Sequence, residues 1–165
     1  MPSLWFYSDP IDRLHQMGLS ISKNKPWLDT DYRFVEWSAL DEIQNILTGQ
    51  GYRVSRTKAS SPFDLWVEGT RVEVKAARWH ESLRGGRYQA AIRNHQADIL
   101  IFDCINGTHH LHVIPMTAIG ALKSLAVWSY DPARSNGQWA QFLEAWAELD
   151  KAINAANFVW QLPLF

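Results

Sequence analysis

The sequence predicts an α/β domain with a mixed sheet flanked by helices. Residues 32–47 carry apolar side chains at helical spacing, and three short strand-like runs follow at 51–56, 62–69 and 70–78. Two further apolar runs, 97–104 and 109–115, supply the remaining strands. With 165 residues, 47% of them hydrophobic and 13% aromatic, the chain can bury one sizeable core, so a single domain over 1–165 is expected.

In chain order, residues 1–30 read as an irregular or partly helical lead-in, with Asp9-Pro10 as a helix start, Gly18 as a stop and Pro26 as a break. The start carries no basic leader ahead of a long apolar stretch, and no run approaches the ~18 apolar residues of a membrane span. A cytoplasmic protein without membrane attachment is therefore expected. In the 31–115 core, Gly51 and the Gly69-Thr70 pair supply turns between the first strands. The polar stretch 79–89 leads into an expected helix over 90–95, ahead of the strand at 97–104. Pro115 ends the fifth strand.

A helical extension is expected over 116–158: a short helix over 116–124, then a longer one over 138–155. Trp139, Phe142, Trp146, Leu149 and Ile153 share a stripe of the longer helix, which reads as packing. Cys104 is the only cysteine, which excludes an internal disulfide and a cysteine-rich zinc cluster. His95, His109, His110 and His112 lack the spacing of a helical zinc-binding pair and read as strand or surface residues.

Net charge is −1, yet the distribution is uneven. Between 71 and 95, six cations (Arg71, Lys75, Arg78, Arg84, Arg87, Arg93) face only Glu73 and Glu81. Such a local excess suits a polyanion, and its alternative is a solvated charged face.

The stretch SPFDLWVEGTRVEVKAAR places charge inside apolar runs. Strand alternation puts Arg71, Glu73 and Lys75 on one face, against Val72, Val74 and Ala76 on the other. Asp64 and Trp66 share a face of the preceding strand, so hairpin pairing brings Asp64 toward Glu73. Two carboxylates held close repel unless a cation lies between them. Oxygen donors suit Mg²⁺, and a site of that kind, with a lysine beside it, can carry phosphoryl chemistry. The alternative is a salt-bridged pair on a half-exposed hairpin. Glu36 follows the same stripe as Leu40, Ile43 and Leu47, which sets a carboxylate on the inward side of the first helix; its alternative is pairing with Arg33 or Arg53.

With Glu36 on a helix, then Ser61-Pro62-Phe63-Asp64, then Glu73-Val74-Lys75, the chain resembles the PD-(D/E)xK nuclease superfamily over about 32–115. Phe63 separates Pro62 from Asp64, so the literal Pro-Asp pair is absent. The resemblance implies a restriction-endonuclease-like αβββαβ core and a metal-dependent DNA endonuclease. It also implies Asp64 and Glu73 as ligands of Mg²⁺ (Mn²⁺ substituting), with the Val74 carbonyl as a further ligand. Lys75 would be the catalytic lysine and Glu36 the extra acidic residue. Gln89 matches a glutamine that some branches carry at the start of their second helix, and Arg78, Arg84, Arg87, Arg93 and His95 are the candidate DNA contacts. Many relatives act as homodimers. Restriction enzymes, repair nucleases and members without activity, including DNA-binding adaptors, all remain open.

The chain ends in Gln161-Leu162-Pro163-Leu164-Phe165. This resembles the Gln-Leu-x-Leu-Phe peptide by which bacterial replication and repair proteins dock on the sliding clamp. Gln161 would fix register while Leu162, Leu164 and Phe165 enter an apolar pocket. That would place the activity in DNA replication, repair or recombination. The alternative is an apolar tail folded back on the domain.

Overall fold

A computed structural model describes residues 32–160. The expected lead-in over 1–30 and the tail from Gln161 to Phe165 lie outside the described residues. Helix α1 spans Tyr32–Gly49. Val35, Ala39, Ile43 and Leu47 form its buried stripe, and Glu36 and Leu40 sit partly exposed on its flank, one position off the stripe expected from sequence. Gly51 ends the helix region at φ 92°, a left-handed conformation open to glycine at little cost. Tyr52 N–H then closes back on the Leu47 carbonyl at 3.1 Å.

Three strands follow: β1 (Val54–Arg56), β2 (Leu65–Val67) and β3 (Thr70–Arg78). β2 and β3 form a hairpin in which Val67 pairs with Thr70. The two-residue turn is Glu68-Gly69, with positive φ at both positions (49° and 85°), one residue earlier than the sequence suggests. β5 (Ile99–Ile105) runs parallel to β3, and β6 (His109–Pro115) returns antiparallel to β5. The sheet order is β1-β2-β3-β5-β6, a mixed sheet whose β3/β5 pair is parallel.

The connection between β3 and β5 differs from expectation. Residues 90–95 form no helix. Instead β4 (Tyr88–Ala91) pairs antiparallel with β7 (Ser124–Val127) in a second, two-stranded sheet. Tyr88, Ala90 and Ile92 are buried and alternate with more exposed neighbours. That period of two decides for a strand against the alanine-rich local composition. Helix α2 is correspondingly short, Met116–Ile119, and β7 takes up the end of the expected 116–124 helix.

The long helix expected over 138–155 is also divided. A 3₁₀ turn covers Ala140–Phe142, and helix α3 runs over Trp146–Trp160. Between them Leu143 bridges to His112 of β6 and Glu144 takes φ 51°. The aromatic stripe therefore serves two cores. Leu149 and Ile153, with Trp146 beside them, pack with α1 on one sheet face against Leu65, Val74, Ile101 and Val113. Trp139, with Phe142 beside it, packs on the other face with Tyr88, Leu100, Phe102, Ile114 and Leu125. A fully buried Leu or Ile in either layer contributes about 1.5–3 kcal/mol.

Candidate functional site

β2 is short, and its end creates the site. The ladder pairs Leu65 with Val72, and Asp64 stands one residue beyond, opposite Glu73. Asp64 N–H still donates to the Val72 carbonyl at 3.0 Å. One step further the main chains part, and the Asp64 side chain takes over: its Oδ2 accepts from Val74 N–H at 2.7 Å. In an extended strand a residue's N–H and C=O point to the same side, so the Val74 carbonyl faces this gap too.

Glu73 points to the β4/β7 side of the sheet, in register with Leu100. It is 4% exposed, and its Oε2 has no hydrogen-bond partner among the described residues. Oε1 lies 3.3 Å from Lys75 Nζ, and Glu36 Oε1 lies 3.6 Å from the same ammonium. Arg53 instead pairs with Glu68. The structure thus brings Glu36, Asp64, Glu73 and Lys75 into one cluster at the free edge of β3.

Their electrostatics follow from burial and crowding. Burial raises the Asp64 carboxyl above its usual range, against the pull of Val74 N–H and Lys75. Burial likewise raises Glu73, and the negative charges of Asp64 and Glu36 add to it while Lys75 opposes them. For Lys75 burial works downward, but Glu36, Glu73 and Asp64 together hold the ammonium above its usual value. It remains a cation at neutral pH. Carboxylates that are costly to ionise beside one lysine leave an unmet demand for positive charge.

The orphaned Glu73 oxygen tests whether a metal fits. Glu73 Oε2, the second oxygen of Asp64 and the Val74 carbonyl are all hard oxygen donors, the type Mg²⁺ takes while keeping several waters. Among the described residues no group of three or more His, Cys, Asp or Glu is placed to hold a metal.

The basic residues expected to contact DNA are dispersed. Arg78 ends β3, Arg84 is exposed in the following loop, and Arg93 and His95 are exposed beyond β4. His95 Nε2 lies 2.9 Å from the Leu122 carbonyl. Gln89 lies inside β4 and starts no helix, so its match to a family position at a helix start does not hold. Its Oε1 accepts from Arg87 Nε at 2.7 Å, and the Arg87 guanidinium lies over the Trp128 ring at 5.0 Å. Sequence reading missed Trp128 as a partner of this group. The available signal was a tryptophan set directly after the apolar run Leu125-Ala126-Val127.

His109 and His112 are structural. His109 Nδ1 contacts Asp103 Oδ2 at 2.6 Å, and His112 is fully buried, with burial lowering its pKa.

An α1-β1-β2-β3 start and a mixed sheet covered by helices define a mixed α/β fold, with a carboxylate cluster at the β2/β3 junction. The chain is similar to a bacterial homing endonuclease, I-Ssp6803I, with a TM-score of 0.62 over 78% of this chain and 99% of that one. Identity is 16%, so the likeness shows the fold. By sequence, no protein family and no curated protein matches the chain. Among the described residues no helix is long and apolar enough to cross a membrane.

Proposed function

We propose that this chain is a Mg²⁺-dependent DNA endonuclease of the PD-(D/E)xK type. The observation that carries the reading is the buried Oε2 of Glu73, without a hydrogen-bond partner among the described residues, beside Asp64 and Lys75. Asp64, Glu73 and the Val74 carbonyl would hold the cation. A bound Mg²⁺ supplies Lewis-acid stabilisation of a phosphate and a water of lowered pKa. Lys75, kept cationic by its three carboxylate neighbours, stabilises charge developing on the phosphate and orients the attacking water. Glu36 positions the Lys75 ammonium. Arg78, Arg84, Arg93 and His95 carry the DNA backbone contacts.

Recruitment to a sliding clamp through Gln161, Leu162, Leu164 and Phe165 belongs to the same proposal, as does a role in replication, repair or recombination. Both rest on the terminal sequence. Deleting 161–165 would abolish clamp co-elution and leave cleavage of naked DNA unchanged.

The test is Mg²⁺- or Mn²⁺-dependent cleavage of labelled duplex, nicked, flap and four-way-junction DNA by wild type, Asp64→Ala and Lys75→Ala. Cleavage by wild type, lost in both variants, is expected. DNA binding without cleavage of any substrate would instead identify a DNA-binding adaptor on a nuclease scaffold.

A further inference from the structure

The two-stranded β4/β7 sheet has one face in the core and one turned outward. Tyr88, Ala90, Leu125 and Val127 point inward and are buried. The register pairs Gln89 with Ala126 and Ala91 with Ser124, and Arg87 and Trp128 extend the outward face by one residue each. Small side chains at Ala91, Ser124 and Ala126 leave this face shallow. Trp128 is 60% exposed, a large ring that the domain's own packing leaves in solvent.

Arg87 is held in a defined pose. Its backbone pairs with His80 through hydrogen bonds of 3.0 and 2.9 Å, its guanidinium lies over Trp128, and its Nε donates to Gln89. The loop behind it is fixed by Trp79, which packs edge-on against Tyr88 and Tyr130. A Cβ on Gly86 would meet the Trp79 ring at 2.0 Å, so glycine is required there. With Nε engaged by Gln89, the two terminal nitrogens of the half-exposed Arg87 make no hydrogen bond among the described residues. That pair of donors matches the O6 and N7 acceptors of guanine in the major groove. The segments that carry this face are also basic in sequence: across 78–95 and 120–128, five cations (Arg78, Arg84, Arg87, Arg93, Lys123) stand against Glu81, the balance a polyanion partner favours. An antiparallel two-stranded ribbon is also one of the elements a major groove admits.

We infer that the outward face of the β4/β7 ribbon reads duplex DNA in the major groove, with Arg87 recognising a guanine, Gln89 positioning its guanidinium and Trp128 supporting it. This deepens the endonuclease reading and rests on it, by assigning that enzyme a sequence preference and the residue that sets it.

Binding is measured with Ca²⁺ in place of Mg²⁺, first by selection from a randomised duplex pool and then on the selected duplex. We expect a selected guanine whose replacement by 7-deazaguanine weakens wild-type binding about tenfold and leaves Arg87→Ala binding unaffected. Gln89→Ala should reduce that guanine preference while keeping overall affinity. Three outcomes would overturn the inference: no duplex binding, no base preference, or an Arg87→Ala variant that loses affinity equally for all sequences, as a phosphate contact would. A guanine preference in a protein that never cleaves would refute the endonuclease reading and leave the base-reading face standing.

Discussion

Glu73 and Asp103 lie on neighbouring strands, point to opposite faces of the sheet, and each keeps one oxygen without a hydrogen-bond partner among the described residues. Their surroundings differ. Asp103, fully buried on the α1/α3 face, has a local answer: its Oδ2 meets His109 Nδ1 at 2.6 Å, and His109 and the His110 backbone both oppose the upward push of burial. Glu73 has Lys75, but must share that ammonium with Glu36 and Asp64. A carboxylate paired with its own histidine through one oxygen reads as a structural member of the core. One crowded by like charge at a strand edge is, on the proposed reading, the one that would take a cation supplied from outside.

Substituting each carboxylate in turn should separate the two roles. The largest effect is expected for Glu73→Gln, which should lower metal-dependent cleavage about 10³-fold while thermal stability stays level or rises, because a costly buried charge is removed. Cleavage within a few-fold of wild type would break the comparison. Asp103→Asn should do the reverse. It weakens a buried, charge-assisted hydrogen bond and should cost about 1.5–3 kcal/mol in chemical denaturation, with specific activity of the folded protein retained.

Glu36→Gln should fall between these, lowering cleavage about tenfold through a less well placed Lys75. The smallest effect concerns pH. The Asp103 hydrogen bond raises the His109 pKa above 6.5, so its contribution is complete below that pH and is lost as pH rises through the folded-state value. Burial of Asp103 raises its own pKa, and the sign is the same: stability falls with rising pH. Thermal unfolding followed from pH 6.5 upward should show a decline in the wild type that Asp103→Asn flattens.

Much of this arrangement is legible in the sequence because it follows from alternation. Glu73-x-Lys75 must share a face of a strand, and a short turn after Val67 must bring Asp64 opposite Glu73. Asp103 was not legible as a partner of His109, because it sits within a continuous apolar run and the β5/β6 hairpin that joins them is a tertiary fact. The helix expected at 90–95 failed for a related reason: Ala90 and Ala91 favour helix locally, and the burial of Tyr88, Ala90 and Ile92 against the main sheet overrides them. The aromatic stripe from Trp139 to Ile153 has helical spacing, yet the pairing of Leu143 with His112 at the β6 edge divides it between two faces.

Manganese binding, followed by electron paramagnetic resonance on wild type, Glu73→Gln and Asp103→Asn, addresses the central claim without depending on a DNA substrate. A bound Mn²⁺ signal that is lost in Glu73→Gln and kept in Asp103→Asn is the predicted result. Equal binding by wild type and Glu73→Gln, or no binding by the wild type, would contradict the assignment of Glu73 as the seat of the cation.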